Sequence, residues 1–265
     1  MYKYGFIGMG NMGSAMLSGL VKRYGSENVT FHEPNAAKQA ETAEKYGVTP
    51  QENNEDVVTN SEFIILAVKP IVYDAVLKQI APVLDYSKIV ISIAPGITME
   101  DVAKKVGKDV RVVRAMPNTP AMVGEGMTGV CYDPNEFNDN EMKDIERYFN
   151  AFGKFNIIDE HLMSAVTCAS GSSPAYVYMF IEALADSVVK CGMPRAAAYE
   201  FVAQTVLGSA KMVLETGEHP GKLKDNVCSP GGTTIAAVEA LEENGFRNSL
   251  FKATDKCYRK CEHLD

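Results

Sequence analysis

The chain has 265 residues, of which 46% are hydrophobic, and carries a formal net charge of −8 with a pI of about 5.2. This length is enough for two modest domains or one large one, and the hydrophobic share allows a sizeable core. The acidic balance argues against a nucleic-acid partner, because phosphate contacts need clustered Lys and Arg. Six irregularly spaced cysteines and four scattered histidines predict neither a disulfide framework nor a metal site, and without a leader or a long apolar run we expect a cytoplasmic protein with no membrane partner.

The first half of the chain alternates short apolar runs with amphipathic stretches. The apolar runs are hydrophobic on both faces, which is typical of parallel strands that helices cover on either side. The alternation therefore predicts a Rossmann-like α/β domain over residues 1–160, with a doubly wound, mainly parallel sheet. The predicted strands are Tyr4–Gly8, Val29–Glu33, Phe63–Val68, Lys88–Ala94 and Val110–Arg114, and the predicted helices are Met12–Tyr24 and Ala36–Tyr46.

From His161 onward we find no convincing strand, and the pattern predicts an all-α domain over residues 161–265. Its first helix is predicted to begin with Ser173 as N-cap and Pro174 in the first turn, and to stop at Gly192. Apolar residues cover most of its circumference, so it either packs against another subunit or is buried within its own domain. Three further helices are predicted at Pro194–Thr216, Thr233–Glu243 and Arg247–Cys261.

The first predicted strand leads into Gly8-Met9-Gly10-Asn11-Met12-Gly13, which fits the pattern G-x-G-x-x-G and opens a predicted helix. The three glycines allow a tight turn, close approach of the backbone to a pyrophosphate, and close helix–strand packing, so we expect a dinucleotide site. Glu33, at the end of the second strand, is placed to accept a hydrogen bond from the ribose 2′-OH of NAD. Asn35 and Lys38 follow closely and would instead accept the 2′-phosphate of NADP, which leaves NADH and NADPH both open.

Three further loops follow predicted strands, at the edge where ligands bind in an open α/β sheet. Proline and glycine fix the direction of the backbone in each. Lys69 and Arg114 are either ligand contacts or solvated loop charges, and Asn118 either orients a nicotinamide carboxamide or caps a turn. The candidate cofactor residues in these loops are Ala67, Val68, Lys69, Pro70, Ile93, Ala94, Pro95, Gly96, Met116, Pro117 and Asn118.

A loop predicted from Lys224 to Thr234 joins two helices of the second domain. Backbone amides and hydroxyls beside a helix start suit a substrate carboxylate. The alternative is an ordinary helix connection in which Thr233 is the N-cap.

Five segments, GFIGMGNMGSAM, LAVKP, RAMPNTPA, SGSSPAY and LKDNVCSPGGTT, occur in an order and at intervals that resemble the pyrroline-5-carboxylate reductase family. The resemblance covers nearly the whole chain, and its most specific part is LKDNVCSPGGTTIAAVEALE. It implies reduction of 1-pyrroline-5-carboxylate to L-proline with NADH or NADPH. It also implies an all-α dimerisation domain and an intertwined homodimer, often assembled into a decamer.

The resemblance extends to individual residues. It implies cofactor contacts by Ile7 to Met12, Pro34, Asn54, Ala67 to Pro70 and Ile93 to Pro95, beside the Gly13, Glu33 and Asn35 of the glycine-loop pattern. We hypothesise that the Thr234 hydroxyl is the catalytic group and hydrogen-bonds the ring nitrogen, with alignment replacing a strong acid. The candidate substrate residues are Glu160, Ser173, Asn226, Val227, Cys228, Ser229, Gly231, Gly232, Thr233 and Thr234. Ser172-Ser173 stands where the family usually has Ser-Gly, and Cys228 stands where it usually has Ser or Thr.

Two other interpretations use the same glycine loop. A β-hydroxyacid dehydrogenase would begin in a similar way but carries a catalytic lysine on its central helix, and here the helix after Pro174 has none before Lys190. A non-catalytic dinucleotide sensor would not need the Lys224–Thr234 loop. The sequence therefore favours the reductase.

Overall fold

The computed structural model describes residues 1–107 and 109–263, and the chain divides into two compact units. Unit 1 is Met1–Ser172 with the residues from Tyr258 onward, and unit 2 is Ser173–Cys257. The predicted boundary after residue 160 falls inside unit 1, because Met163 packs in an apolar cluster with the sheet residues Met116 and Cys131. No helix within the described residues combines the length and the hydropathy needed to cross a bilayer.

Unit 1 is built on one eight-stranded sheet with strand order β3-β2-β1-β4-β5-β6-β7-β8. Neighbouring strands are parallel throughout, except for the antiparallel pair β6 and β7. This confirms the predicted doubly wound, mainly parallel sheet. The strands are β1 Tyr2–Ile7, β2 Val29–His32, β3 Thr49–Pro50, β4 Ser61–Leu66, β5 Ile89–Ser92, β6 Arg111–Met116, β7 Gly126–Cys131 and β8 Gly153–Ile157.

Helices cover both faces of this sheet, and alternate residues of each central strand enter different cores. In β4, Phe63 and Ile65 pack in one cluster, whereas Ile64 and Leu66 pack in the other. This burial on both faces explains why the strand appears as an uninterrupted apolar run. The helices of unit 1 are α1 Asn11–Tyr24, α2 Ala36–Tyr46, α3 Asn54–Asn60, α4 Pro70–Ile80, α5 Met99–Val106, α6 Asp139–Phe149 and α7 Met163–Val166, followed by a π-helix over Thr167–Gly171.

Three strands have no counterpart among the predictions. These strands are β3, β7 and β8. The strand β3 is only two residues long, β7 contains two glycines, and β8 is a half-exposed edge strand with polar residues. None of them shows the both-faced apolar run that marks a central parallel strand. Local pattern therefore predicts the middle of the sheet but not its edges.

Unit 2 contains helices only, within the part of the chain that the structure describes. They are α8 Ser173–Lys190, α9 Arg195–Thr216, α10 Pro220–Val227, α11 Thr233–Glu243 and the first part of α12 Phe246–Cys261. The helix α10 was not predicted. Ser173 is the first residue of α8 and not its N-cap, since the π-helix leads into α8 with only Ser172 between them.

The apolar residues of unit 2 have almost no core of their own. Its buried cluster consists of the small residues Ala185 and Ala198 with Val202. Large apolar side chains are exposed instead, among them Tyr178, Met179, Phe201, Leu214 and Phe251. Burial of α8 within its own domain is therefore wrong, and the exposed surface is of the kind that a protein partner covers.

Candidate functional site

The glycine loop connects β1 to α1 at the point where the strand order reverses, between β1 and β4. Gly8 has φ +90°, and a Cβ on it would lie 2.7 Å from Val68 Cγ1. A Cβ on Gly13 would lie 2.6 Å from the Gly8 carbonyl oxygen and 3.1 Å from Ala67 Cβ. The first and third glycines are therefore required by the packing of the protein itself.

Gly10 differs from the other two. The nearest atom to a Cβ built on it is the Ala67 carbonyl oxygen at 4.0 Å, so the space in front of it is open. Gly10 is also the N-cap of α1, which has neither a side-chain cap nor an acidic residue in its first turn. Open space and uncapped amides at a helix N-terminus fit the diphosphate of a dinucleotide.

Two neighbouring segments complete this part of the edge. The Glu33 carboxylate accepts hydrogen bonds from the Met9 N–H at 3.0 Å and the Asn35 N–H at 3.2 Å, and the Asn35 side chain caps α2. Pro34, between these two residues, is exposed. Asn54, the first residue of α3, donates from its side chain to Gln79 Oε1, and its contact with a cofactor stays a prediction.

The later loops leave the same edge of the sheet. Ala67 and Val68 follow β4, and Pro70 is the first residue of α4. Lys69 is exposed and has no ion pair among the described residues, which fits a solvated charge as well as a ligand contact. After β5, Ala94 is buried, and Gly96 with φ +71° turns the chain towards α5.

Asn118 is buried beyond the end of β6, where Met116 and Pro117 precede it. Its amide nitrogen donates to the Ser170 carbonyl at 3.1 Å, and its amide oxygen accepts from the Met127 N–H at 2.9 Å. Ser170 lies in the π-helix, a geometry that is common at functional sites. The Asn118 side chain therefore does not cap the turn over Thr119–Val123 that follows it. It joins β7 to the π-helix and anchors the π-helix to this edge of the sheet.

Arg114 is not a loop residue. It lies within β6, its side chain is 8% exposed, and its Nη1 is 3.0 Å from Glu160 Oε1. The same Glu160 oxygen accepts the Met99 N–H at 2.8 Å, at the N-terminus of α5. The interpretation of Arg114 as a solvated charge is therefore wrong, and Glu160, expected in the substrate pocket, joins α5 to β6 inside unit 1.

The sequence already contained a signal for this ion pair. A charged residue inside the apolar stretch Val112–Met116 predicts a buried partner, because an unpaired buried charge is strongly disfavoured.

Burial, with a smaller contribution from the nearby Glu160 carboxylate, raises the pKa of the Cys131 thiol to about 11. Cys131 therefore remains a neutral thiol at physiological pH, without a nucleophilic role.

We expect Glu160→Ala to destabilise unit 1 by about 2–3 kcal/mol, because it leaves the Arg114 guanidinium buried without its carboxylate. Glu160→Gln keeps an acceptor for the Met99 N–H, so its effect is expected to be smaller. Urea unfolding followed by circular dichroism measures both changes. The matched control is Glu100→Ala, which removes the exposed pair with Lys104 and is expected to leave the midpoint unchanged. Equal midpoints for Glu160→Ala and the control would contradict a buried ion pair.

In unit 2, the predicted Lys224–Thr234 loop is shorter than expected. Asn226 and Val227 belong to the last turn of α10, and Thr233 and Thr234 to the first turn of α11. The connection itself consists of Cys228, Ser229, Pro230, Gly231 and Gly232. The N-cap of α11 is Gly232, so the prediction of Thr233 as N-cap is wrong.

This connection presents backbone donors at a helix N-terminus. Gly231 has φ +67°, and the Gly232 N–H closes a turn onto the Ser229 carbonyl at 3.0 Å. The helix α11 has no side-chain cap and no acidic residue in its first turn, and Thr234 is half-buried there. A free N-terminus without acidic residues suits an anion such as a carboxylate.

The structure thus brings the candidate residues together in two sets. The cofactor candidates lie along one edge of the sheet of unit 1, and the residues from Asn226 to Thr234 lie around one connection in unit 2. Glu160 belongs to unit 1, whereas Ser173 opens unit 2. Among the described residues, we find no group of three His, Cys, Asp or Glu side chains that could hold a metal ion.

Comparisons with known families match both parts of the chain. A family described as "Pyrroline-5-carboxylate reductase dimerisation" matches residues 160–264, and one described as "NADP oxidoreductase coenzyme F420-dependent" matches residues 3–96. Pyrroline-5-carboxylate reductase of Escherichia coli K12 is 48% identical over 265 residues, covering 99% of this chain and 98% of the relative. That of Synechocystis is 42% identical and covers 98% and 97% of the two chains.

Solved structures agree with these matches. A pyrroline carboxylate reductase of Plasmodium falciparum with NADP bound has a TM-score of 0.89 and 35% identity, covering 99% of this chain and 98% of that one. A pyrroline-5-carboxylate reductase of Coxiella burnetii has the same TM-score and 32% identity, covering 100% and 98%. An oxidoreductase from Mycobacterium avium, at 18% identity and a TM-score of 0.59, shares the fold alone.

Proposed function

Because this chain belongs to the pyrroline-5-carboxylate reductase family, we propose that it reduces 1-pyrroline-5-carboxylate to L-proline with NADPH or NADH, the last step of proline biosynthesis. The observation that carries this proposal is the 48% identity to a reductase of that name over nearly the full length of both chains. The chain is an oxidoreductase with a Rossmann-like domain, as the family has it.

The residues of unit 1 fit a dinucleotide. A Cβ on Gly10 would fill the open space in front of the loop, and the uncapped N-terminus of α1 offers amides to the diphosphate. Ile7 to Gly13, Glu33 to Asn35, and the loops after β4, β5 and β6 would hold the cofactor. When bound, its reduced nicotinamide supplies the hydride.

The residues of unit 2 would hold and orient the substrate. The amides from Ser229 to Thr234 would bind the carboxylate, and the Thr234 hydroxyl would hydrogen-bond the ring nitrogen. A cyclic imine is basic enough to arrive protonated, so the protein needs to align the imine carbon and exclude water and does not need a strong acid. The E. coli and Synechocystis relatives are named as pyrroline-5-carboxylate reductases, which favours this function over a β-hydroxyacid dehydrogenase or a dinucleotide sensor.

The test of this function is the loss of absorbance of NADH and of NADPH, in parallel, with 1-pyrroline-5-carboxylate as substrate. We expect turnover with at least one cofactor and proline as the product. A folded protein that binds nucleotide but does not consume it with this substrate would contradict the proposal.

Thr234→Ala is expected to lower kcat/KM for 1-pyrroline-5-carboxylate by about 100-fold, the usual effect of losing a hydrogen bond to a reacting group. The affinity for the nicotinamide cofactor should not change, because Thr234 lies in α11 of unit 2. Thr234→Ser, which keeps the hydroxyl, should retain most of the activity. Full turnover with an unchanged substrate KM in Thr234→Ala would exclude this role.

The match to a dimerisation domain and the exposed apolar residues of unit 2 support self-association. We propose a homodimer, with further assembly into a decamer, and a cytoplasmic location for this biosynthetic step. Light scattering coupled to gel filtration would measure the size of the assembly.

A further inference from the structure

The Glu33 carboxylate occupies a fixed position beside the glycine loop. Its Oε2 accepts the Met9 N–H at 3.0 Å, and its Oε1 accepts the Asn35 N–H at 3.2 Å. Each carboxylate oxygen has a second lone pair, so the group can still accept hydrogen bonds from a ligand. Two backbone donors hold the carboxylate at the end of β2 and leave part of its acceptor capacity free.

No described cation forms an ion pair with this carboxylate. Among the described residues, no ion pair joins a basic nitrogen to a Glu33 carboxylate oxygen within 4 Å. The nearest lysine along the chain, Lys38, lies with Lys45 along a groove between α1 and α2. The backbone N–H of Lys38 is bonded to the Asn35 side chain, so the N-terminus of α2 is partly capped. A phosphate added near Glu33 would therefore meet a carboxylate that no ion pair neutralises.

We propose that Glu33 makes this enzyme selective for NADH over NADPH. The carboxylate accepts hydrogen bonds from the hydroxyls of the adenosine ribose and repels the 2′-phosphate that distinguishes NADPH. This inference rests on the proposed function only for the location of the dinucleotide site. It identifies a residue that determines cofactor choice in this chain, a choice that the glycine loop alone does not make.

The experiment compares the binding of ADP-ribose and 2′-phospho-ADP-ribose to the full chain by calorimetry, so that it does not depend on turnover. We expect the wild type to bind ADP-ribose at least ~10-fold more tightly, because only the other ligand places a phosphate against the carboxylate. Glu33→Gln should raise the affinity for 2′-phospho-ADP-ribose by ~10-fold and weaken ADP-ribose by a smaller factor. The ratio of kcat/KM for NADH and NADPH should change in the same direction.

The matched control is Glu41→Gln, which removes the same charge from an exposed position on α2 and should leave the ratio unchanged. Equal affinities in the wild type, or a ratio that Glu33→Gln does not change, would overturn the proposal. So would a preference for the phosphorylated ligand that disappears in Lys38→Ala. Turnover of 1-pyrroline-5-carboxylate with a preference for NADPH would reject this selectivity and leave the proposed function standing. Selective binding of ADP-ribose without turnover of 1-pyrroline-5-carboxylate would support the selectivity and contradict the proposed function.

Discussion

The substitution Met179→Glu is expected to prevent the chain from self-associating and to abolish its reductase activity. Met179 is 67% exposed on α8, in a run with Val177, Tyr178 and Phe180 that is exposed around the helix. A dimer that covers this run would have to bury the new carboxylate twice, at a cost of several kcal/mol for each copy. Sedimentation at several protein concentrations measures the loss of the dimer, and the absorbance assay measures the loss of activity.

The control for this variant is Ile157→Glu, an exposed apolar residue on the edge strand β8 of unit 1. It introduces the same charge on the other unit and is expected to leave the dimer intact. If Met179→Glu remained a dimer of full activity, the exposed run on α8 would not be the surface that self-association covers.

Gly13→Ala is expected to lower both the stability of the protein and its affinity for the cofactor, whereas Gly10→Ala is expected to lower mainly the affinity. The new methyl group at position 13 would collide with the Gly8 carbonyl at 2.6 Å, which is backbone and has little freedom to move. We expect a loss of stability of about 1–3 kcal/mol, the usual range for overpacking, together with the loss of dinucleotide binding. The methyl group of Gly10→Ala would have no protein atom nearer than the Ala67 carbonyl oxygen at 4.0 Å, so stability should fall by less than about 1 kcal/mol.

Both variants should still lose affinity for the cofactor, by at least ~10-fold for Gly10→Ala, because its methyl group would occupy the space for the diphosphate. Thermal unfolding without nucleotide and fluorescence titration with NADH measure the two effects independently. Gly10→Ala with wild-type affinity would show that the diphosphate does not approach this glycine. A Gly13→Ala protein of unchanged stability would show that the turn adapts.

Much of unit 1 could be predicted from the sequence because its central strands are buried on both faces. The run Phe63–Leu66 is apolar for that reason, and the spacing of Gly8 and Gly13 reflects a turn whose requirements are local. The helix α10 was not predicted, because PGKLKDNV contains few apolar residues and its N-cap is His219, whose side chain accepts the Gly221 N–H. The edge strand β8 was not predicted for a similar reason, since its half-exposed positions tolerate polar residues and give no apolar run.

Other features depend on residues that are distant in the sequence. Arg114 and Glu160 are 46 positions apart, and only the order of the strands brings them to 3.0 Å. Gly10 and Gly13 look alike as sequence, but their surroundings differ. The Gly8 carbonyl oxygen at 2.6 Å and the Ala67 Cβ at 3.1 Å crowd a Cβ on Gly13, whereas the nearest atom to one on Gly10 is the Ala67 carbonyl oxygen at 4.0 Å. The two hydrogen bonds of Glu33 likewise involve the loop after β1 and the turn after β2.

The sequence by itself determined the family, the two-part organisation and the position of the glycine loop, because periodicity, turn chemistry and motif spacing are encoded over short stretches of chain. Only the tertiary structure decided that Glu160 is the partner of the buried Arg114, that two amides hold Glu33 without an ion pair, and that α8 exposes its apolar surface. Those outcomes are set by which distant segments the sheet topology brings into contact, and no local pattern carries that information.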